Sequence, residues 1–263
     1  MTLEDKTLKR IDRVSKLRPV SEKEYLRAIK QALSEVQLKL NSIDGDTYTR
    51  RRAEEVYRGL KSGIDKSTQG FITGFYPDMF DVINGDTKKM EREASGYIDG
   101  FYSLDEKEIK NVLSFREIYF TTEKVDGSIT NSLIGVDDLL KSVGKDTLKR
   151  VKSTIVSGAV LGVNPNKIAS QIGKIKGIEA RHLRTVVRTQ FADAQQRVNM
   201  ASLDKNKEWY DGYEYNAHLD KRTTLICRSA NGKKWKAYAD IPESYFPPLH
   251  PNCRSTILGI IED

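Results

Sequence analysis

Residues 178–203 read IEARHLRTVVRTQFADAQQRVNMASL, and residues 209–238 read WYDGYEYNAHLDKRTTLICRSANGKKWKAY. The change between these two stretches decides the fold. The first keeps the spacing of a long helix. In the second the helical period fades and aromatic and turn residues take over. Gly212 to His218 alternates like a strand, and Asn231-Gly232 signals a tight turn before a second strand over 233–238. Pro242, Pro247 and Pro248 add further turns. The sequence therefore predicts a mainly α protein, with long helices followed by a small α+β C-terminal module rich in loops and a β-hairpin. The boundary falls near residue 205, giving a C-terminal module over 205–263.

Working toward the N-terminus, Asn164-Pro165 carries an N-cap and a proline at the first helical position, and predicts a helix that ends by Gly177. Val136 to about Leu161 forms another helix, stopped by Gly162. Residues 136–204 thus make a long-helix segment. The polar stretch Tyr119–Ser128 reads as a loop or short hairpin. Ser103 with Glu106 reads as a capping box opening a helix to about Phe115, and Ser21 with Glu24 opens another that ends near Asn41. A helix over about 47–60 follows. Residues 63–100 are rich in glycine and aromatics, and the aromatics from Phe71 to Tyr102 fit a packing cluster between helices. Residues 21–135 form the N-terminal helical region, and the basic stretch 1–20 is expected to be a mobile arm.

The net charge of +7 is unevenly spread: +5 over 1–61, −7 over 62–140, +9 over 141–210 and zero beyond. Basic segments can meet nucleic-acid phosphates without regard to sequence, or can simply be solvated helix faces. The densest cluster is Arg50-Arg51-Arg52. On the long helix Arg181, Arg184 and Arg188 share one face, with Lys174 and Lys176 just before. These eight are the candidate contacts to DNA or to an acidic partner. No apolar run approaches the ~20 residues of a membrane span. The first residues lack the apolar core of a secretory signal. Two cysteines do not make a disulfide scaffold. A soluble protein made and used in a reducing cytoplasm is expected, with no membrane partner.

Both cysteines and two of the three histidines fall in the last fifty residues, beside Asp220, Arg222, Thr223 and Arg254. Three chemistries compete for them. Cys227, His250 and Cys253 could hold zinc, with His218 or Asp220 as a fourth ligand. Alternatively the cysteines are small buried apolar residues. Asp220 then pairs with Arg222 or Arg254 as a structural lock, capped by Thr223. The third chemistry is catalytic, with His218, Asp220 and His250 cradling a metal and Glu243 or Cys227 reacting.

The order of these signals carries a resemblance. Arg188-Thr189, Ala194, Asn199, Asp220, Arg222-Thr223, Cys227, Gly232, Pro247-Pro248, His250, Cys253 and Arg254 match the pattern of Mu F-like phage head-morphogenesis proteins. The match extends over about 136–258. Gln190 stands where an acidic residue is common. Thr224 and Ser255 stand where relatives carry cysteines, so a four-thiolate zinc site is excluded within one chain. The resemblance implies a minor head or head-to-tail structural protein of the virion, without enzymatic activity. Its implied partners are the portal and other head components and packaged double-stranded DNA. Its implied role lies in head assembly, DNA packaging or DNA delivery. A metal-dependent nuclease-like effector built on the His/Asp/Cys cluster is the alternative.

Overall fold

The computed structural model describes residues 9, 13, 20–44, 48–114, 117–123 and 129–261, leaving aside the side chains of 117–123, 129–134, 136 and 176–179. Apart from residues 9, 13 and 20, the expected basic arm lies outside the described residues. The chain is mainly helical, with a small antiparallel sheet near the C-terminus, as the sequence predicts. The described residues from 20 onward group into two compact units, one within 20–78 and 137–185, the other within 79–136 and 186–261. No helix among the described residues is long and apolar enough to cross a membrane.

In the first unit, α1 (Val20–Asn41) buries Tyr25, Ile29, Leu33, Val36 and Leu40, the stripe its periodicity predicts. Its start differs from expectation. The helix is already under way at Ser21, whose N–H donates to the Asp78 carboxylate at 2.8 Å. A carboxylate from a distant helix thus takes the place of the expected Ser21–Glu24 box.

α2 (Arg50–Ala94) does not stop at Leu60 but runs through five glycines and Pro77. Each glycine costs a helix about 1 kcal/mol relative to alanine. Burial of Leu60, Ile64, Phe71 and Phe75 in this unit offsets that, with Tyr25 stacked on Phe71 at 4.9 Å between centroids. α4 (Val136–Val160) ends as expected. Gly162 adopts φ +63, and the Val163 N–H returns to the Gly158 carbonyl at 2.8 Å, a left-handed helix stop.

α5 (Pro165–Lys205) begins with Asn164 accepting the Asn166 N–H at 2.9 Å. It is one helix, not two. The expected break at Gly177 is absent, because Ile172, Ile175 and Leu183 bury on either side and outweigh one glycine.

In the other unit, α3 (Glu106–Leu113) is capped two residues later than expected. Asp105 accepts the Glu108 N–H and Glu108 accepts the Asp105 N–H, both at 2.8 Å. Glu106 is left to pair with Lys88 at 3.0 Å. Strands β1 (Glu117–Glu123) and β2 (Ile129–Gly135) form an antiparallel hairpin in register from Glu117↔Gly135 to Glu123↔Ile129.

The C-terminal sheet has the order β4-β3-β5, all antiparallel. β3 (Gly212–Asn216) is the predicted strand. β4 (Lys234–Trp235) is shorter than predicted, since 238–240 turn into a 3-10 segment. β5 (Thr256–Ile260) and the short helix α6 (Leu225–Ala230) have no counterpart in the sequence reading.

Candidate functional site

The C-terminal module wraps a small core of Tyr213, Tyr215, Cys227, Leu249, Cys253 and Ile257, continued by Met200 and Leu203 of α5. Three local devices aim its polar residues. Thr224 is the N-cap of α6, and its hydroxyl accepts the Cys227 N–H at 3.5 Å, which orients Cys227 inward. Gly232 takes φ +79 just after α6, so its N–H reaches the Tyr215 carbonyl at 2.8 Å and ties the helix to β3. After a cis Pro247–Pro248 bond, His250-Pro251-Asn252-Cys253 closes a turn, with the Cys253 N–H donating to the His250 carbonyl at 3.1 Å. Asn252 sits at φ +59, a conformation asparagine tolerates better than most residues.

These devices bring Cys227, His250 and Cys253 together. The two sulfurs are 3.7 Å apart, and Cys227 Sγ is 3.2 Å from His250 Nε2. Both cysteines are free thiols and buried, while His250 is partly exposed. Tyr215 Oη lies 3.4 Å from Cys227 Sγ. Ser255, two residues beyond Cys253, is buried as well.

The Cys253 thiol donating to its sulfur, with His250 alongside, holds the Cys227 thiol well below the usual range. The same contact and full enclosure push Cys253 up. Burial pulls the His250 imidazole down, but the Cys227 sulfur outweighs it and leaves the ring above its usual value. Burial first, then the two cysteines, pushes the Tyr215 phenol far up. The His250 Nδ1 is 2.8 Å from the Pro251 carbonyl and donates to it, leaving Nε2 to face the sulfurs. These three residues are the group among the described residues able to hold a metal ion.

His218 is not part of that group. Its Nε2 is 3.9 Å from Asp220, and its side chain is partly exposed. Asp220 instead receives both arms of Arg254, Nη1 to Oδ2 at 2.9 Å and Nη2 to Oδ1 at 2.6 Å. Arg222 contributes its backbone N–H at 2.7 Å, and its guanidinium stands off at 3.4 Å. The fork holds the Asp220 carboxyl far below the usual range, with the Arg222 N–H and charge adding to it. Thr223 spans the turn, donating to the His218 carbonyl and accepting the Asp220 N–H, both at 2.7 Å. Arg254 adjoins Cys253, so this lock and the thiol cluster share one backbone segment.

The sequence reading passed over a polar seam that runs along α5 and onto Asn206 just past its end. Thr189, Asp193, Gln196, Asn199, Ser202 and Asn206, three or four residues apart, are all buried. Thr189 accepts the Asn252 N–H at 3.0 Å, which anchors the His250–Cys253 turn. Asn199 donates to the Ile257 carbonyl at 2.9 Å, and Thr256 donates to Gln196 at 2.9 Å. Asn206 pairs with the backbone of Tyr102 through bonds of 2.7 and 2.9 Å. A loop-rich module leaves backbone groups that need side-chain partners, and this seam supplies them. Asp193, enclosed beside Arg197, is pushed up by burial, with Arg197 at 2.8 Å pulling the other way. In sequence these are polar residues at helical spacing, which read as a solvated helix face.

The basic candidates are not gathered into one site. Arg50, Arg51 and Arg52 are exposed at the start of α2, where Glu54 and Glu55 answer the first two at 2.9 and 3.3 Å. Lys174 and Arg181 are exposed on α5, and Arg184 and Arg188 are partly buried. The Lys176 side chain lies outside those described. Arg188 belongs to the unit of the C-terminal module, and the other three to the helical unit.

Residues 149–258 match the model of a family described as phage Mu protein F like protein. This stretch is Mu F-like. It runs from α4 to β5 and takes in the α5 seam, the Asp220–Arg254 lock and the thiol cluster. The likeness covers less than half of the chain and supports a role in phage head morphogenesis. No curated protein and no solved structure shows significant similarity to the chain.

Proposed function

We propose that this chain is a minor head or head-to-tail structural component, associated with the portal and the capsid interior. It acts in head assembly, DNA packaging or DNA delivery and performs no catalytic step. The observation that carries this reading is the Mu F-like segment over 149–258. Its polar landmarks support a structural role. Thr189, Asn199, Asp220, Thr223 and Arg254 spend their hydrogen bonds on holding the C-terminal module closed. The exposed Arg50–Arg52 cluster, with Lys174, Lys176, Arg181, Arg184 and Arg188, supplies contacts to DNA phosphates or to an acidic face of another head protein.

The test is a phage lacking this protein, complemented in trans. Full heads and infectious particles should fall and return with the wild-type chain, and the tagged chain should sediment with portal-bearing heads. Normal heads without it, or a purified chain that cleaves DNA when given a divalent metal and loses this with His250→Ala, would refute the structural reading and favour a nuclease.

A further inference from the structure

The thiol cluster is more closely set than core packing requires. Two buried cysteines and a histidine could fill a small core anywhere. Here their ligand atoms all lie within 4.8 Å of one another, drawn from two separate pieces of chain. Zinc bound by thiolate has Zn–S of about 2.3 Å, so two sulfurs on one tetrahedral ion stand about 3.8 Å apart. The observed separation is 3.7 Å. A sulfur and an imidazole nitrogen on the same ion stand about 3.6 Å apart, and Cys227 Sγ to His250 Nε2 is 3.2 Å. The Cys253 sulfur and the imidazole nitrogen lie within 4.8 Å, so binding requires the His250 ring to turn away from Cys227 and toward Cys253.

Three further features fit a metal rather than a packing cluster. The His250 Nδ1–H is engaged by the Pro251 carbonyl, which fixes the tautomer whose Nε2 can ligate. The Tyr215 hydroxyl is placed to donate to the Cys227 sulfur, the usual outer support of a metal-bound thiolate. The His250–Cys253 turn is held from outside by Thr189 on the Asn252 N–H, so the two ligands it carries are oriented in advance.

We propose that Cys227, His250 and Cys253 bind one zinc ion, which cross-links α6 to the His250–Cys253 turn. Ser255, buried two residues beyond Cys253, is the oxygen donor nearest in sequence to the fourth position. That position is filled by an oxygen ligand, either Ser255 itself or solvent beside it. The role is structural. The module has a small core, and a cross-link between its helix and its last turn closes it in a way that its few apolar residues do not. The proposal is independent of the head-assembly reading, because the module would need closing whatever it binds.

The test uses the full chain, purified under reducing conditions. Elemental analysis should find one zinc per chain. After the metal is removed, cobalt(II) should bind at one equivalent and show thiolate-to-cobalt charge-transfer bands with the intense visible bands of tetrahedral cobalt. Zinc should slow alkylation of both thiols by at least about tenfold. His250→Ala and Cys253→Ser should each weaken zinc by more than the ~10–100-fold typical of outer-shell changes. Because those variants can also unfold the module, Ser255→Cys gives a test in the opposite direction. It completes a Cys3His set and should tighten zinc at least tenfold. Wild-type chain that takes up no stoichiometric zinc or cobalt overturns the proposal. So does uptake that His250→Ala, Cys253→Ser and Ser255→Cys all leave unchanged.

Discussion

Replacing Asn199 by alanine tests whether the polar seam of α5 holds the C-terminal module. Asn199 is almost fully buried, and its amide donates to the Ile257 carbonyl at 2.9 Å and to the Thr256 hydroxyl at 3.4 Å. Removing the partner of a buried polar group costs roughly 1–3 kcal/mol. The second bond is long and adds little, so about 2 kcal/mol is expected from Asn199→Ala. With a urea slope of about 2 kcal/mol per molar, the midpoint should fall by about 1 M. The chain has two tryptophans, Trp209 and Trp235, both beside or within the module, so their fluorescence reports its unfolding directly. Thr256→Val removes the hydroxyl that links Asn199 to Gln196. Asn199→Ala and Thr256→Val together should therefore depart from additivity by about 0.5 kcal/mol or more. A midpoint shift no larger than that of Arg51→Ala on the exposed start of α2, or a strictly additive double variant, would show that the seam is not what fastens β5.

Gly144→Ala should lower the melting temperature. A Cβ there would lie 2.5 Å from the Thr68 hydroxyl. Overpacking costs about 1–3 kcal/mol, against the ~1 kcal/mol that alanine returns to a helix. Thr68→Ala should rescue it, and failure to rescue would place the cost elsewhere. Two carboxylates should give opposite pH dependences in urea titrations. Asp193 is raised by burial, so its contribution falls as pH rises from the unfolded value near 4 through the higher folded one, and Asp193→Asn should remove that fall. Asp220 is lowered by Arg254, so its contribution is present above pH ~4 and lost as pH falls toward the folded value, and Asp220→Asn should remove that acid-side loss. Slopes unchanged by either variant would refute the assignment.

The sequence by itself determined what depends on local periodicity and chain order. The apolar stripe of α1, the left-handed stop at Gly162, the Asn164-Pro165 start of α5 and strand β3 were all legible, because each rests on residues a few positions apart. So was the Mu F-like pattern, whose landmarks keep their order along the chain. Tertiary structure decided the rest. α2 crosses five glycines and Pro77, and α5 crosses Gly177, because burial on either side outweighs helix-breaking residues that local signals treat as stops. β5 has no alternation to announce it and exists through its register with β3. The seam residues look like a solvated helix face until the module's backbone supplies their partners. For the cysteines and histidines, the sequence named the set but could not say which members meet. A 23-residue loop closure brings His250 to Cys227, while Arg254 draws Asp220 into the lock beside it, with His218 outside the thiol cluster. Contacts between residues far apart in sequence exist in the fold alone, and spacing along the chain carries no record of them.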